Sequence, residues 1–276
     1  MVSVISSLSP LHQQQLQGAA AAIAAAVQPE KIICFGMRMR QQHSWSCFTA
    51  HTPSATLHGD LLVIIRETEK SKREVIAQSM RKHSHEGIIL SAQVHSLGAV
   101  VMALQNNHPF FTRVLSEGEV LYDKGTPLLL YPGVASETKD HHATEQEEAI
   151  KNIQRAEGFV QAAAHLNIAG MKTLVLFLLH QATEQAASAI IKKYMSYLPA
   201  THRLGRLLEL TENCSPEAVD IFQRGTEAER KRFALLEQAY VDARYSSCYT
   251  VSNETVIILQ EQVKEFVHCA STLIQK

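Results

Sequence analysis

Apolar positions fall along this chain in two rhythms. Up to about residue 132 short apolar runs alternate with helical stretches, and beyond it only helical spacing remains. Leu11 to Val27, rich in alanine, has high helix propensity and stops before Pro29. Lys31-Ile32-Ile33-Cys34-Phe35-Gly36 reads as a strand closed by glycine, and Asp60-Leu61-Leu62-Val63-Ile64-Ile65 as a buried strand opened by a carboxylate. Between them, Met37 to Leu57 is polar and holds Arg38, Arg40, His43, Trp45 and His51. Ser71 to His83 has amphipathic helical spacing, with Val75, Ile76 and Met80 on one side. A third strand over Ile88 to His95 follows, then short helices over Leu97–Leu104 and Phe110–Leu115 and a last strand over Val120–Asp123. Such alternation predicts a small α/β domain.

Ser136 to Glu148 is polar and acidic, as a linker running into a helix start would be. The spacing beyond it predicts helices over about 141–167, 171–197, 201–213, 227–247 and 254–275. The second is apolar almost all round and should be central; the last carries the stripe Val256, Leu259, Val263, Phe266, Ala270, Leu273. Helices with short connections make an antiparallel bundle. The expected organisation is an α/β domain over 1–132, a linker over 133–140 and an all-α bundle over 141–276.

Composition narrows this picture. The apolar share of 46% is that of a globular protein, and a formal charge of −1 gives no global reason to expect nucleic acid. The five cysteines are scattered with no Cys-x-x-Cys, which suits free thiols in a reducing compartment. The apolar run Gly18 to Val27 is too short to span a bilayer and lacks a basic flank, so the expectation is a cytoplasmic protein without a membrane anchor.

The chemistry-bearing residues of the first half gather where its first two strands meet. In sequence order Pro29 to Gly36, Asp60 to Ile64, His95-Ser96-Leu97 and Phe110-Phe111 through Leu121-Tyr122-Asp123 resemble the minimal nucleotidyltransferase fold over most of residues 28–125. That resemblance implies a Gly-Ser turn approaching the phosphates of ATP or GTP, and two or three carboxylates holding Mg²⁺. Here Gly36 stands but Met37 follows it, His58 takes the place of the first acid, and Asp60 alone remains. Gln93 and His95 occupy the neighbourhood of the third acid. A single carboxylate is a poor seat for a hard cation, so the reading is a degenerate site, with Arg38 or Arg40 reaching phosphate. The alternatives are an active metal-dependent nucleotidyltransferase using Asp60, or a transition-metal site from His58, Asp60 and His51.

In the second half, Phe177 to Glu184, Thr201-His202-Arg203-Leu204 and Ala239-Tyr240 to Arg244-Tyr245 resemble a HEPN domain, a helical bundle that often follows the nucleotidyltransferase fold. His180 and Glu184 stand four apart on one helix face, and a polar pair there needs partners, for which Arg244 is a candidate. A satisfied structural network and a ligand site are both open for them. HEPN ribonucleases carry an arginine followed a turn or so later by histidine, whereas no histidine follows Arg244 before His268. The resemblance then implies nucleotide or RNA binding, with His180, Glu184, His202, Arg244 and Tyr245 around the ligand and Lys192-Lys193 either nearby or complementing a helix end. It also implies a homodimer through the bundle and no reading of DNA sequence. The expected function is a non-catalytic nucleotide- or RNA-binding protein; a toxin-like HEPN ribonuclease restrained by the first domain is a further alternative.

Overall fold

The computed structural model describes residues 4–42, 54–66, 75–76, 87–127, 141–246 and 249–276. The chain divides into two compact units, Met1–Lys139 and Asp140–Lys276. His51, most of the expected helix 71–83 and the linker 133–140 lie outside the described residues; of that helix, Val75 and Ile76 are helical.

The first unit is α/β. Helix α1 (Pro10–Val27) starts on Ser9, whose hydroxyl accepts the His12 N–H while Pro10 fills the first helical position. It ends where Gln28 turns left-handed at φ 49°. Four strands, β1 (Lys31–Gln42), β2 (Ser54–Ile65), β3 (Ile88–Ser96) and β4 (Glu119–Asp123), make one mixed sheet in the order β3-β2-β1-β4. β1 runs antiparallel to β2 and β4, and β2 parallel to β3. Because strand side chains alternate, Leu57, Leu61, Val63 and Ile65 share the face on which Leu16, Ala19 and Ile23 of α1 pack. Asp60, opposite Gly36 on one side and Ser91 on the other, belongs to the alternate set. Helices α2 (Leu97–Gln105) and α3 (Pro109–Glu117) follow β3, and Phe110 of α3 meets Phe35 edge-on at 5.5 Å.

Two sequence expectations change here. The polar stretch after Gly36 is not wholly a connection between the strands, since Met37–Gln42 and Ser54–Gly59 extend β1 and β2 as one antiparallel ladder. Their apolar content is too low for hydrophobic pattern to reveal them, but cross-strand pairing still satisfies the backbone. Consequently Gly36 lies inside a strand, beside a bulge at Phe35, rather than in a phosphate-approaching turn, and Asp60 sits within β2 rather than at its head.

The second unit is all helical: α4 (His141–Ile168), α5 (Lys172–Met195), α6 (Leu204–Glu212), α7 (Pro216–Asp220), α8 (Glu227–Tyr245) and α9 (Asn253–Gln275). Helix α5 is the core. Ala182, Ala186 and Ala189 on it, and Ala149, Ala156 and Ala163 on α4, are fully buried, and side chains this small let the two helices approach closely. By length and composition α5 is apolar enough to cross a membrane, but 67% of its most apolar window is buried inside the bundle. Phe266 of α9 packs on Phe222 at 5.1 Å, and the α9 stripe closes on Ile274 rather than Leu273. The short α7 escaped the sequence reading because five residues are too few to show a helical period.

Candidate functional site

In the first unit the bulge at Phe35 resets the ladder so that Arg38 and Asp60 meet. Arg38 Nη1 lies 2.7 Å from Asp60 Oδ2, with the Asp60 side chain fully buried and that of Arg38 at 13% exposure. A buried carboxylate requires a partner of this kind. Nearby, burial pushes the Cys34 thiol up to about 12, the Asp60 charge adding to the rise, so this cysteine is no nucleophile. Arg40 is exposed further along β1, and His58 is half-buried opposite Arg38.

These residues do not fit a magnesium ion. The carboxylate that would ligate it is held by a guanidinium whose positive charge opposes a second cation in the same place. Among the described residues, no three His, Cys, Asp or Glu side chains are grouped to hold a metal.

The second unit gathers a denser set. His180 on α5 is buried, and its Nδ1–H donates to the Leu236 carbonyl of α8 at 3.0 Å. Its Nε2 faces Glu184 Oε2 at 3.6 Å. The other carboxylate oxygen, Oε1, accepts from Nδ1 of His202 at 3.0 Å. One carboxylate therefore sits between two imidazoles, one internal and one 60% exposed. Burial works to raise the Glu184 carboxyl, but the neighbouring His180 and the hydrogen-bonded His202 outweigh it and hold the group below its ordinary value.

The His202 ring stacks on Tyr240 at 4.8 Å with 12° between planes, and His180 lies 5.3 Å from the same ring. The Arg244 guanidinium also lies over Tyr240, 4.5 Å from its centroid, and within 5.1 Å of Tyr245 and 5.6 Å of Phe177. Its Nε donates to the Tyr240 carbonyl at 2.7 Å, which anchors the guanidinium. A cation on an aromatic face beside a stacked imidazole offers π-surfaces and charge-assisted donors together.

Thus the structure brings His180, Glu184, His202, Arg244 and Tyr245 together. It corrects one pairing, because His202 rather than Arg244 partners Glu184. Lys192 and Lys193 are engaged elsewhere: Lys192 pairs with Glu148, and Lys193 donates to the Leu273 and Ile274 carbonyls at the end of α9. Tyr240, the centre of the cluster, was missing from the expected ligand set. Its position four residues before Arg244 on one helix was the available signal, since that spacing puts an aromatic ring under a cation.

Residues 150–276 match the family model of the HEPN domain. A search of curated proteins finds no match to the chain. HEPN domains are associated with RNA binding or with ribonuclease and toxin activity, and they commonly form dimers. The α/β unit is thus followed in this chain by a HEPN domain.

Proposed function

We propose that this protein binds a nucleotide or single-stranded RNA on the His202–Tyr240–Arg244 face of its HEPN unit, without catalysing a reaction there. The observation that carries this is the Arg244 guanidinium 4.5 Å from the Tyr240 ring on which His202 also stacks. Single-stranded nucleic acid is held by aromatic faces for its bases and cations for its phosphates, and each stacked base contributes about 1–3 kcal/mol. Tyr245, 77% exposed, would extend the stacking surface. Two copies of the bundle pair in this reading, which keeps the expectation of a cytoplasmic homodimer. The first unit is read as a nucleotidyltransferase-like fold that has lost transfer, since the mixed sheet suits that fold while Arg38 holds the Asp60 carboxylate.

The test is fluorescence anisotropy with a labelled ten-nucleotide single-stranded RNA and calorimetry with 5′-AMP, using the full chain. Tyr240→Leu should weaken both, because it removes the ring that holds His202 and Arg244 in place. Arg244→Ala should weaken RNA binding and flatten its salt dependence. Unchanged affinity in both variants would remove the site from consideration.

A second reading is a ribonuclease, which one observation favours. His202 and Arg244 both contact the Tyr240 ring, so an imidazole and a guanidinium are neighbours in space although far apart in sequence. Cleavage of RNA by the full chain, abolished in His202→Ala, would replace binding with catalysis. Transfer of labelled nucleotide from ATP with Mg²⁺ or Mn²⁺, lost in Asp60→Ala, would instead restore the nucleotidyltransferase.

A further inference from the structure

The cluster beneath the proposed platform holds more charge chemistry than a structural network requires. His180 Nδ1 faces the Leu236 carbonyl at 3.0 Å, and a carbonyl only accepts, so the ring carries its proton on Nδ1. In the neutral ring Nε2 is then a lone pair, and it points at Glu184 Oε2 from 3.6 Å. Both atoms are buried and neither has a hydrogen-bond partner. Two acceptors facing each other in a low-dielectric interior repel; a second proton on His180 turns the contact into an ion pair.

Glu184 is shared. Its other oxygen holds His202, the exposed imidazole stacked on Tyr240. With both rings neutral the cluster carries the −1 of Glu184, and each proton taken up by a ring raises that charge by one. The two rings compete for one carboxylate, so charging one changes how firmly the other is held.

Helix α8 presents Tyr240 and Arg244, and its Glu237 accepts from the Gly205 N–H at the start of α6. On α6, Arg206 pairs with Glu209. Lys192 and Lys193 of α5, about two turns beyond Glu184, are engaged with Glu148 of α4 and the end of α9.

We infer that His180, Glu184 and His202 form a proton-linked unit, so that a phosphate-bearing ligand bound beside His202 and Arg244 is bound together with a proton. This rests on the nucleotide-binding reading above and adds its regulation: an anion next to the rings favours their charged forms, and by linkage acid strengthens binding. The buried ring acts as a store that the surface ring reads through one carboxylate. Three ligands on a shared ion would need to converge on a point, whereas these two imidazoles sit on different oxygens of Glu184, which is the geometry of a relay.

The probe is 5′-AMP with the full chain, titrated calorimetrically between pH 6 and 8 in buffers of different ionisation enthalpy. Expected is uptake of up to one proton per AMP, so that affinity falls by as much as about tenfold per pH unit as pH rises. In Glu184→Gln the uptake should be lost. His202→Gln, at a position 60% exposed, serves as the second variant. In it, proton uptake per AMP should fall to half or less of the wild-type value, because the surface ring that shares Glu184 is gone. AMP binding with no buffer-dependent heat, or proton uptake unchanged in both Glu184→Gln and His202→Gln, overturns the proton linkage and leaves the binding reading standing. Absence of AMP binding at every pH overturns the binding reading, and the linkage falls with it.

Discussion

Arg38 and Asp60 are joined across the β1–β2 ladder at 2.7 Å although they belong to different register pairs, Arg38 facing His58 and Asp60 facing Gly36. The bulge at Phe35 shifts the register just before this point. The buried Asp60 carboxylate is thus committed to a guanidinium within the chain.

That commitment predicts strong coupling in stability. Asp60→Ala leaves Arg38 without its buried counter-ion, and Arg38→Ala leaves Asp60 charged inside the protein. Each should cost about 3–5 kcal/mol in urea unfolding. The double substitution should cost clearly less than the sum, because the second change removes the charge that the first one stranded. Mn²⁺ should leave the wild-type Tm unchanged. A rise in Tm with Mn²⁺ that Asp60→Ala removes would show that the carboxylate still takes a metal.

Acid should weaken both units, through different carboxylates. Glu30 is buried, and its carboxyl is held below the ordinary value by the Thr126 hydroxyl; burial opposes this, while Arg66 and Lys124 add to it. Glu184 is lowered by its two histidines against the effect of burial. A group with a depressed folded pKa contributes fully above its unfolded value, here near 4.5, and loses that contribution as pH falls through the folded value. Stability should therefore drop below about pH 4.5, and Glu30→Gln should flatten that drop. Thermal unfolding between pH 3 and 6 measures it, and an unchanged slope would remove Glu30 from the account.

Two glycines of the first unit should respond very differently to alanine. A Cβ on Gly118 would lie 2.4 Å from the Val114 carbonyl oxygen and 2.6 Å from Ile33 Cγ2, so the backbone joining α3 to β4 would have to move. On Gly59 the Cβ would meet a Leu90 methyl at 2.9 Å, the end of a side chain with other rotamers. Gly118→Ala should cost several kcal/mol or abolish folding, and Gly59→Ala about 1–3 kcal/mol, the range of ordinary overpacking. Equal Tm losses would contradict this contrast.

Much of the architecture could be read from the chain because burial writes itself into apolar spacing. Ile32-Ile33-Cys34, Leu61 to Ile65 and the α9 stripe from Val256 to Ala270 are buried where that spacing put them. What was hidden depends on polar residues and on long-range pairing. Met37–Gln42 continues β1 with Arg38, Arg40 and Gln42, a pattern that reads as loop until its partner strand is known. Asp60 could be singled out as a lone acid, but its pairing with Arg38 needs a register set by a one-residue bulge. His180 and Glu184 share a helix face and were visible together. His202 was named, yet nothing local places its ring on Glu184 and Tyr240, because the turn between α5 and α6 aims it.

That turn leads to the last prediction. The residue before α6 is Arg203, whose side chain provides no cap, and the Gly205 N–H is satisfied by Glu237 Oε1 from α8 at 2.9 Å. A carboxylate is well suited there, since it accepts an otherwise unpaired N–H and complements the positive end of the helix. Glycine at 205 allows the approach, for a Cβ there would sit 3.1 Å from that same oxygen. The contact ties the start of α6, and with it His202 three residues earlier, to the helix that carries Tyr240 and Arg244. Glu237→Ala should lower stability by about 0.5–2 kcal/mol, as loss of a cap does. It should also weaken 5′-AMP binding by loosening His202 over Tyr240, whereas Glu227→Ala, at the exposed far end of α8, should leave binding unchanged. If Glu237→Ala lowers stability without altering AMP affinity, the cap supports the bundle but does not position the platform.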